Sequence, residues 1–168
     1  MKTTLMALAV LTSISAYAAD EKIVSEIHDR TGAKIGEVTV RQEKKGVEID
    51  VKVSGLKPGL HGIHIHSVGK CEGPDFKSAG GHFSYAGQMH GMDNPKGPHI
   101  GDMPNLNVKA DGMGKLRFHT DLVTLAAGEN SLKKAGGTSI IIHEKQDDQK
   151  TDPSGASGDR IACAVLAE

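Results

Sequence analysis

The stretch GVEIDVKVSG, residues 46–55, sets Val47, Ile49, Val51 and Val53 at alternate positions with Glu48, Asp50 and Lys52 between them. Successive side chains of an extended chain point to opposite faces, so this stretch buries one clean apolar face only as a β-strand. A helix would scatter the same residues around its circumference. The pattern recurs along the chain. KIGEVTVRQ carries Val38 and Val40 in phase and Ile35 out of phase, which predicts a bulge or turn between them. EKKG is a short hairpin connection, and LNVKADGMGKLRF places Leu106/Val108 and Leu116/Phe118 around an Asp111-Gly112 turn. TSIIIHEK and RIACAVLAE are apolar runs of strand length.

What must fill the core agrees with that reading. The 168 residues suit one domain and include no Trp, three Phe, two Tyr and 21 Gly. Val, Ile, Leu and Ala therefore make the core and glycine makes many turns, which favours a β-rich, loop-rich globule over a helical bundle.

The first residues follow another logic. MKTTLMALAVLTSISAYAAD has a basic start at Lys2, an apolar stretch from Leu5 to Ile14, and Ala16-Tyr17-Ala18. This is the pattern of a secretory signal peptide over residues 1–18, leaving 19–168 as the mature domain. Thr12, Ser13 and Ser15 interrupt the apolar stretch well short of the ~20 residues a membrane span needs, so the expectation is an exported protein with no membrane association. Lys2 is the only charged side chain in 1–18, so the remainder holds 19 basic and 21 acidic residues. That balance offers no basic face for nucleic acid. In an exported chain the even count of two cysteines, Cys71 and Cys163, reads by default as a disulfide, with two free thiols or a metal pair as the rival readings.

Two segments break the strand pattern. Ser67–Met103 is long and rich in Gly and Pro, and EKQDDQKTDPSGASGD, residues 144–159, is polar and irregular. Irregular loops of such length in a small domain are functional or disordered. The first holds His82, His90, His99 and Asp102, which argues for order imposed by a ligand. Just before it, HGIHIH places His64 and His66 on one strand face and Ile63 and Ile65 on the other. If the isoleucines enter the core, two imidazoles about 6.5–7 Å apart stand outside and can converge on one ion. His61 has the isoleucine parity and reads as a structural histidine, while His28 and His119 read as surface residues. Three imidazoles with a carboxylate make a complete tetrahedral zinc shell. His143 ends an apolar strand and supplies one more imidazole, a donor that suits copper as well as zinc.

Together, HGIHIHSVGKC, SAGGHF, PHIGDMPN, IIHEKQDD and SGDRIACAV resemble copper/zinc superoxide dismutase of the exported bacterial type, in that family's order and over essentially the whole chain after residue 18. The resemblance implies an all-β Greek-key barrel or sandwich of about eight antiparallel strands with two long functional loops. It implies copper on His64, His66, His82 and His143, and zinc on His82, His90, His99 and Asp102, with His82 shared. Asp147 matches the carboxylate behind the ligands, with Asp148 as the competing choice; Arg160 matches the arginine beside copper, and Cys71–Cys163 the loop-tethering disulfide. The activity implied is conversion of superoxide to dioxygen and hydrogen peroxide, with His82 and Arg160 as catalytic residues. The expected location is the periplasm, with full secretion as the other outcome of export, and the expected state is a monomer or a homodimer. Lys145 and Lys150 read either as steering charges or as ordinary surface lysines, and Met89, Met92, Met103 and Met113 as packing or as copper-loading groups. A noncatalytic copper/zinc carrier on the same fold is the alternative function.

Overall fold

Alternation does govern the architecture. The structure, a computed structural model, describes residues 21–168, so the signal peptide expected at 1–18 lies outside the described residues. Nine strands form: β1 (Lys22–Asp29), β2 (Lys34–Gln42), β3 (Val47–Val53), β4 (Gly59–His61), β5 (Ile63–His66), β6 (Leu106–Val108), β7 (Gly114–Thr120), β8 (Thr138–His143) and β9 (Arg160–Ala167). The only helical element among the described residues is a single 3-10 turn at Lys77–Ala79. In β3 the four apolar residues are buried and the polar ones between them are not, as period two requires. Between β1 and β2 the register passes from Ile27–Gly36 to His28–Lys34, leaving Ile35 as the extra residue of a bulge.

All strand pairs are antiparallel, in the order β4-β6-β7-β3-β2-β1-β9-β8-β5. The two outermost strands of that order, β4 and β5, are consecutive in the chain and separated only by Gly62. One stretch of chain thus belongs to both edges and draws the sheet round into a nearly closed barrel. This is why nine strands appear where about eight were expected: the 59–66 segment is interrupted once. At the interruption Gly62 N–H donates to Lys145 O and Gly62 O accepts from His143 N–H, both at 2.8 Å. A Cβ there would sit 2.8 Å from Ser157 Cβ and 3.2 Å from Asp147 Cβ, so glycine is required for the close approach.

Inside the barrel, Val38, Val40, Ile49, Val51, Ile63, Ile65, Ile140, Ile142, Ala162 and Ala164 belong to one buried cluster. Ile141 has the opposite parity and joins Phe76, Ala79 and Cys163 in a second cluster outside it. Cys71 and Cys163 form a disulfide with Cα atoms 5.7 Å apart, which sets aside the free-thiol and metal-pair readings. The long 67–105 connection therefore lies on the outer face of β8 and β9 and is bonded to it. It also completes the free edge of β5: Phe83 N–H donates to Ile65 O at 2.8 Å and Ile65 N–H to Gly101 O at 2.9 Å. A third long connection, residues 121–137, was not singled out by the sequence pattern. Val123, Leu125 and Leu132 are buried in the main core, so it closes one end of the barrel.

Replacing both cysteines by serine (Cys71→Ser with Cys163→Ser) removes a cross-link over a 92-residue separation. The expected loss of folding stability is about 2–5 kcal/mol, read from urea unfolding midpoints of the parent and the double variant.

Candidate metal centre

Strand parity puts His64 and His66 on the outer face of β5, and His143 ends the neighbouring β8. Loop backbone pairs His66 with His82 and His64 with Asp102 across the other edge. The expected exterior face is consequently covered, and His64, His66, His90, His99, Asp102 and His143 are all buried.

In each of four rings, one nitrogen is engaged. His66 Nδ1 donates to Gly80 O at 3.0 Å and His143 Nδ1 to Gly158 O at 3.1 Å. His64 Nε2 lies 2.7 Å from Asp147 Oδ2, and His82 Nδ1 lies 2.9 Å from Asp102 Oδ1. Because a carbonyl only accepts, His66 and His143 carry their ring protons at Nδ1 and keep a lone pair at Nε2. The remaining nitrogens, His64 Nδ1, His66 Nε2, His82 Nε2 and His143 Nε2, are buried without any hydrogen-bond partner. The four residues offer donor atoms within 4.8 Å of one another. Burial pushes His64 down to about 3 and His143 to about 4, and lowers His66 and His82 as well. At neutral pH these are uncharged imidazoles with convergent lone pairs, the donor form that copper or zinc needs.

A second group is built on one carboxylate oxygen. Asp102 Oδ1 lies 2.9 Å from His82 Nδ1, 3.0 Å from His90 Nδ1 and 3.4 Å from His99 Nδ1. His82 Nδ1 and His99 Nδ1 are 3.4 Å apart. For ligands about 2.0–2.1 Å from zinc, tetrahedron edges are about 3.3–3.4 Å, so the donors stand close to the spacing such a shell needs. Asp102 Oδ2 accepts from Gly91 N–H at 2.8 Å and His99 N–H at 2.9 Å, which fixes the carboxylate. Burial alone would raise this carboxyl, but the hydrogen bonds from His82 and His90 hold it well below the usual range. Burial opposes charge on His90 too, and Asp102 and Asp147 overcome it, raising His90 to about 9. The carboxylate-containing group whose donor atoms all lie within 4.8 Å of one another is His64, His82, His90 and Asp102, with His64 where the expected zinc set has His99. His64 belongs with the first group, since Asp147 occupies its Nε2 and its Nδ1 is one of the four unpaired nitrogens. His82 is common to both groups, through Nδ1 on one side and Nε2 on the other.

Asp147 joins the groups a second time. Its Oδ2 meets His64 Nε2 and its Oδ1 meets His90 Nε2 at 2.9 Å, while Asp148 is exposed and accepts only from Lys150 and Thr151 of its own turn. The structure places Asp147, and not Asp148, behind the histidines.

A model of the family described as copper/zinc superoxide dismutase (SODC) matches residues 34–166. The chain belongs to that family. It is 45% identical to superoxide dismutase [Cu-Zn] 1 of Aquifex aeolicus over 94% of each chain, and 42% identical to superoxide dismutase [Cu-Zn] of Caulobacter vibrioides over 80% of this chain and 79% of that one. Among solved structures it is similar to a superoxide dismutase-like protein from Bacillus subtilis, with a TM-score of 0.81, 37% identity and coverage of 85% and 97%. The metals of the copper/zinc superoxide dismutase family are copper and zinc, and the unpaired imidazole nitrogens and the Asp102 group fit both by donor type.

Other residues hold this superoxide dismutase centre in shape. Arg160, at the start of β9, donates from its two terminal nitrogens to Phe76 O and Gly80 O, each at 2.7 Å. Gly80 O is also the acceptor of His66 Nδ1, so the guanidinium and that imidazole share one carbonyl. Burial lowers the Arg160 pKa, yet an arginine stays charged. His61 sits between His143 O at 2.8 Å and Lys57 O at 2.9 Å, in the supporting role its parity implied. His28 and His119 stand with partly exposed side chains on the barrel exterior, paired with Glu26 and Asp121. Lys145 and Lys150 are exposed on the loop that carries Asp147. Met103 is core, and Met113 is exposed on the β6–β7 turn.

Sequence reasoning assigned no role to Asn105, Asp152 or Gly155. Asn105 Oδ1 accepts Asp147 N–H at 2.8 Å while its Nδ2 donates to Asp147 O at 2.9 Å, clamping that residue's backbone. Asp152 Oδ1 accepts His90 N–H at 2.6 Å. Gly155, at φ +64, lies where a Cβ would collide with Asp147 Oδ1. Such partners show only in three dimensions, because Asn105 and Asp147 are 42 positions apart.

Replacing Asp147 by alanine leaves His64 Nε2 and His90 Nε2 without their acceptor. Metal affinity, measured by competition with a chelator, is expected to fall about 10–100-fold, with Asn105→Ala shifting it in the same direction by less.

Proposed function

We propose that the chain is an exported superoxide dismutase, converting two superoxide anions and two protons into dioxygen and hydrogen peroxide. The observation that carries this reading is the set of four buried, unpaired imidazole nitrogens sharing His82 with a carboxylate-centred group. His64, His66, His82 and His143 would hold copper, and His82, His90, His99 and Asp102 would hold zinc. Copper supplies a one-electron Cu(II)/Cu(I) couple that superoxide reduces and reoxidises in turn, and zinc, without redox chemistry, adds fixed positive charge.

The remaining chemistry belongs to the chain. Peroxide needs two protons, and His82 Nε2 is the atom placed to hold and deliver one, with water supplying the other. With zinc bound, His82 Nδ1 would be a ligand beside Asp102 instead of a donor to it, and that attachment would keep the ring in place. Asp147 holds His64 and His90 in fixed orientations and raises ligand basicity. Arg160 binds the anionic substrate: two of its N–H groups are spent on carbonyls, and three of the five remain. The chain is net negative, at −1 overall, so a local field must bring the anion in. Lys145 and Lys150, exposed on the loop bearing Asp147, are placed to add to it.

Residues 1–18 would direct export to the periplasm and leave 19–168 as the working enzyme, a location consistent with the disulfide. No helix among the described residues is long and apolar enough to cross a membrane. Every proposed ligand comes from one chain, so a monomer or a homodimer can do this chemistry, with superoxide as the only partner the reaction requires.

The test reconstitutes residues 19–168 with both metals and follows superoxide decay. Copper-dependent decay is expected; fully loaded protein without it would establish a metal carrier instead. Arg160→Glu should lower turnover more than it lowers metal content, by about tenfold or more at low salt, within the 10–10³ range of electrostatic steering. Unchanged turnover would remove Arg160 from the substrate path.

A further inference from the structure

The connection between β7 and β8 carries none of the proposed metal ligands, yet one of its side chains reaches the frame of the copper-side pair. Lys134 Nζ donates to Ser67 O at 2.6 Å and lies 5.5 Å from the centroid of the Phe83 ring. Ser67 directly follows His66, and Phe83 directly follows His82. Those two histidines face each other across a backbone bridge, with ring centroids 5.0 Å apart and planes at 67°. A single ammonium group therefore grips the residue next to each member of the pair, through a carbonyl on one side and a ring face on the other.

We propose that Lys134 is a positioning residue for His66 and His82, setting the relative angle of the two rings through Ser67 and Phe83. The inference rests on the assignment of those histidines to copper. Phe83 is a rigid lever for this purpose. Its ring is buried in the barrel core, its N–H donates to Ile65 O at 2.8 Å, and its O accepts from Gly101 N–H at 2.9 Å. On the other side, the chain after His66 is docked to the same region by two further bonds. Gly69 N–H donates to Gly136 O and Ser139 Oγ to Val68 O, each at 2.8 Å. These two bonds do not involve the Lys134 side chain and hold the loop in place when it is changed. What the ammonium adds is the link from that loop across to Phe83, and so from one ligand to the other. Arginine can make both contacts, whereas methionine keeps the apolar stem and makes neither.

The experiment uses the protein loaded with copper and zinc, and compares the parent with Lys134→Met, Lys134→Arg and Phe83→Leu. The readouts are the Cu(II) electron paramagnetic resonance spectrum and copper affinity by chelator competition, with zinc content and circular dichroism as the control for folding. In Lys134→Met, zinc content and the dichroism spectrum are expected to stay at parent values. The Cu(II) hyperfine pattern should shift and copper affinity fall about tenfold, the lower end of the 10–100-fold effects of residues behind a metal ligand. Lys134→Arg should return both toward the parent, and Phe83→Leu, which removes the ring face, should reproduce the spectral change. A parent signal reproduced by both Lys134→Met and Phe83→Leu would overturn the inference, even if their unfolding midpoints fell. A parent lacking a nitrogen-coordinated Cu(II) signal would overturn the copper assignment itself, and the role of Lys134 with it.

Discussion

Everything in this molecule turns on the two-residue period of β5. Ile63 and Ile65 enter the barrel core while His64 and His66 leave it. A slip of one residue in the pairing with β8 would send both imidazoles into the hydrocarbon and both isoleucines into the metal centre. The buried isoleucine face thus fixes the position of two donor groups more firmly than any interaction inside the centre. The disulfide and the backbone pairing of 81–83 and 100–102 with β5 then cover the outer face. A sheet exterior becomes a second, polar interior.

That second interior obeys a different rule from the barrel. In the barrel, burial is favourable and non-directional. In the centre, every buried polar atom needs a partner, and an unmatched one costs about 1–3 kcal/mol. Most are matched within the chain, by Gly80 O, Gly158 O, Asp102 and Asp147. The four unmatched ring nitrogens lie close together, so a cation bound among them satisfies all four at once and couples metal affinity to folding. The two carboxylates complement this arrangement: Asp102 gathers three rings on one oxygen, and Asp147 spans from His64 to His90. His82 and Asp147 are therefore two independent links between the same two groups.

Much of this was legible in the chain. Strands β2, β3, β6 and β7, the irregularity at Ile35, the shared face of His64 and His66 and the supporting place of His61 follow from alternation, and β8 and β9 from their apolar runs, whereas neither signal singled out β1. The candidate donors stood out because His64 and His66 share a strand face and His82, His90, His99 and Asp102 crowd one long loop, and the resemblance to the copper/zinc family divided them between two ions. Less visible was whatever depends on pairs far apart in sequence. Asn105 looks like an ordinary loop asparagine until its amide meets the backbone of Asp147. Lys134 looks like one of 20 basic residues until its ammonium meets Ser67 and Phe83. The 121–137 connection has no strand alternation to announce that Val123, Leu125 and Leu132 plug the barrel.

By itself the sequence determined the β class, the faces of the strands and the chemical identity of the donors. These depend on residue type and on spacings of two, which are local. Only the tertiary structure decided that the sheet closes at Gly62, that Asp147 rather than Asp148 stands behind the rings, and which nitrogen of each imidazole stays free. The physical reason is the same in each case. Closure depends on β4 and β5, consecutive across Gly62, finding partners at opposite ends of the strand order, and a ring nitrogen is free or engaged according to which carbonyl or carboxylate the fold brings against its neighbour.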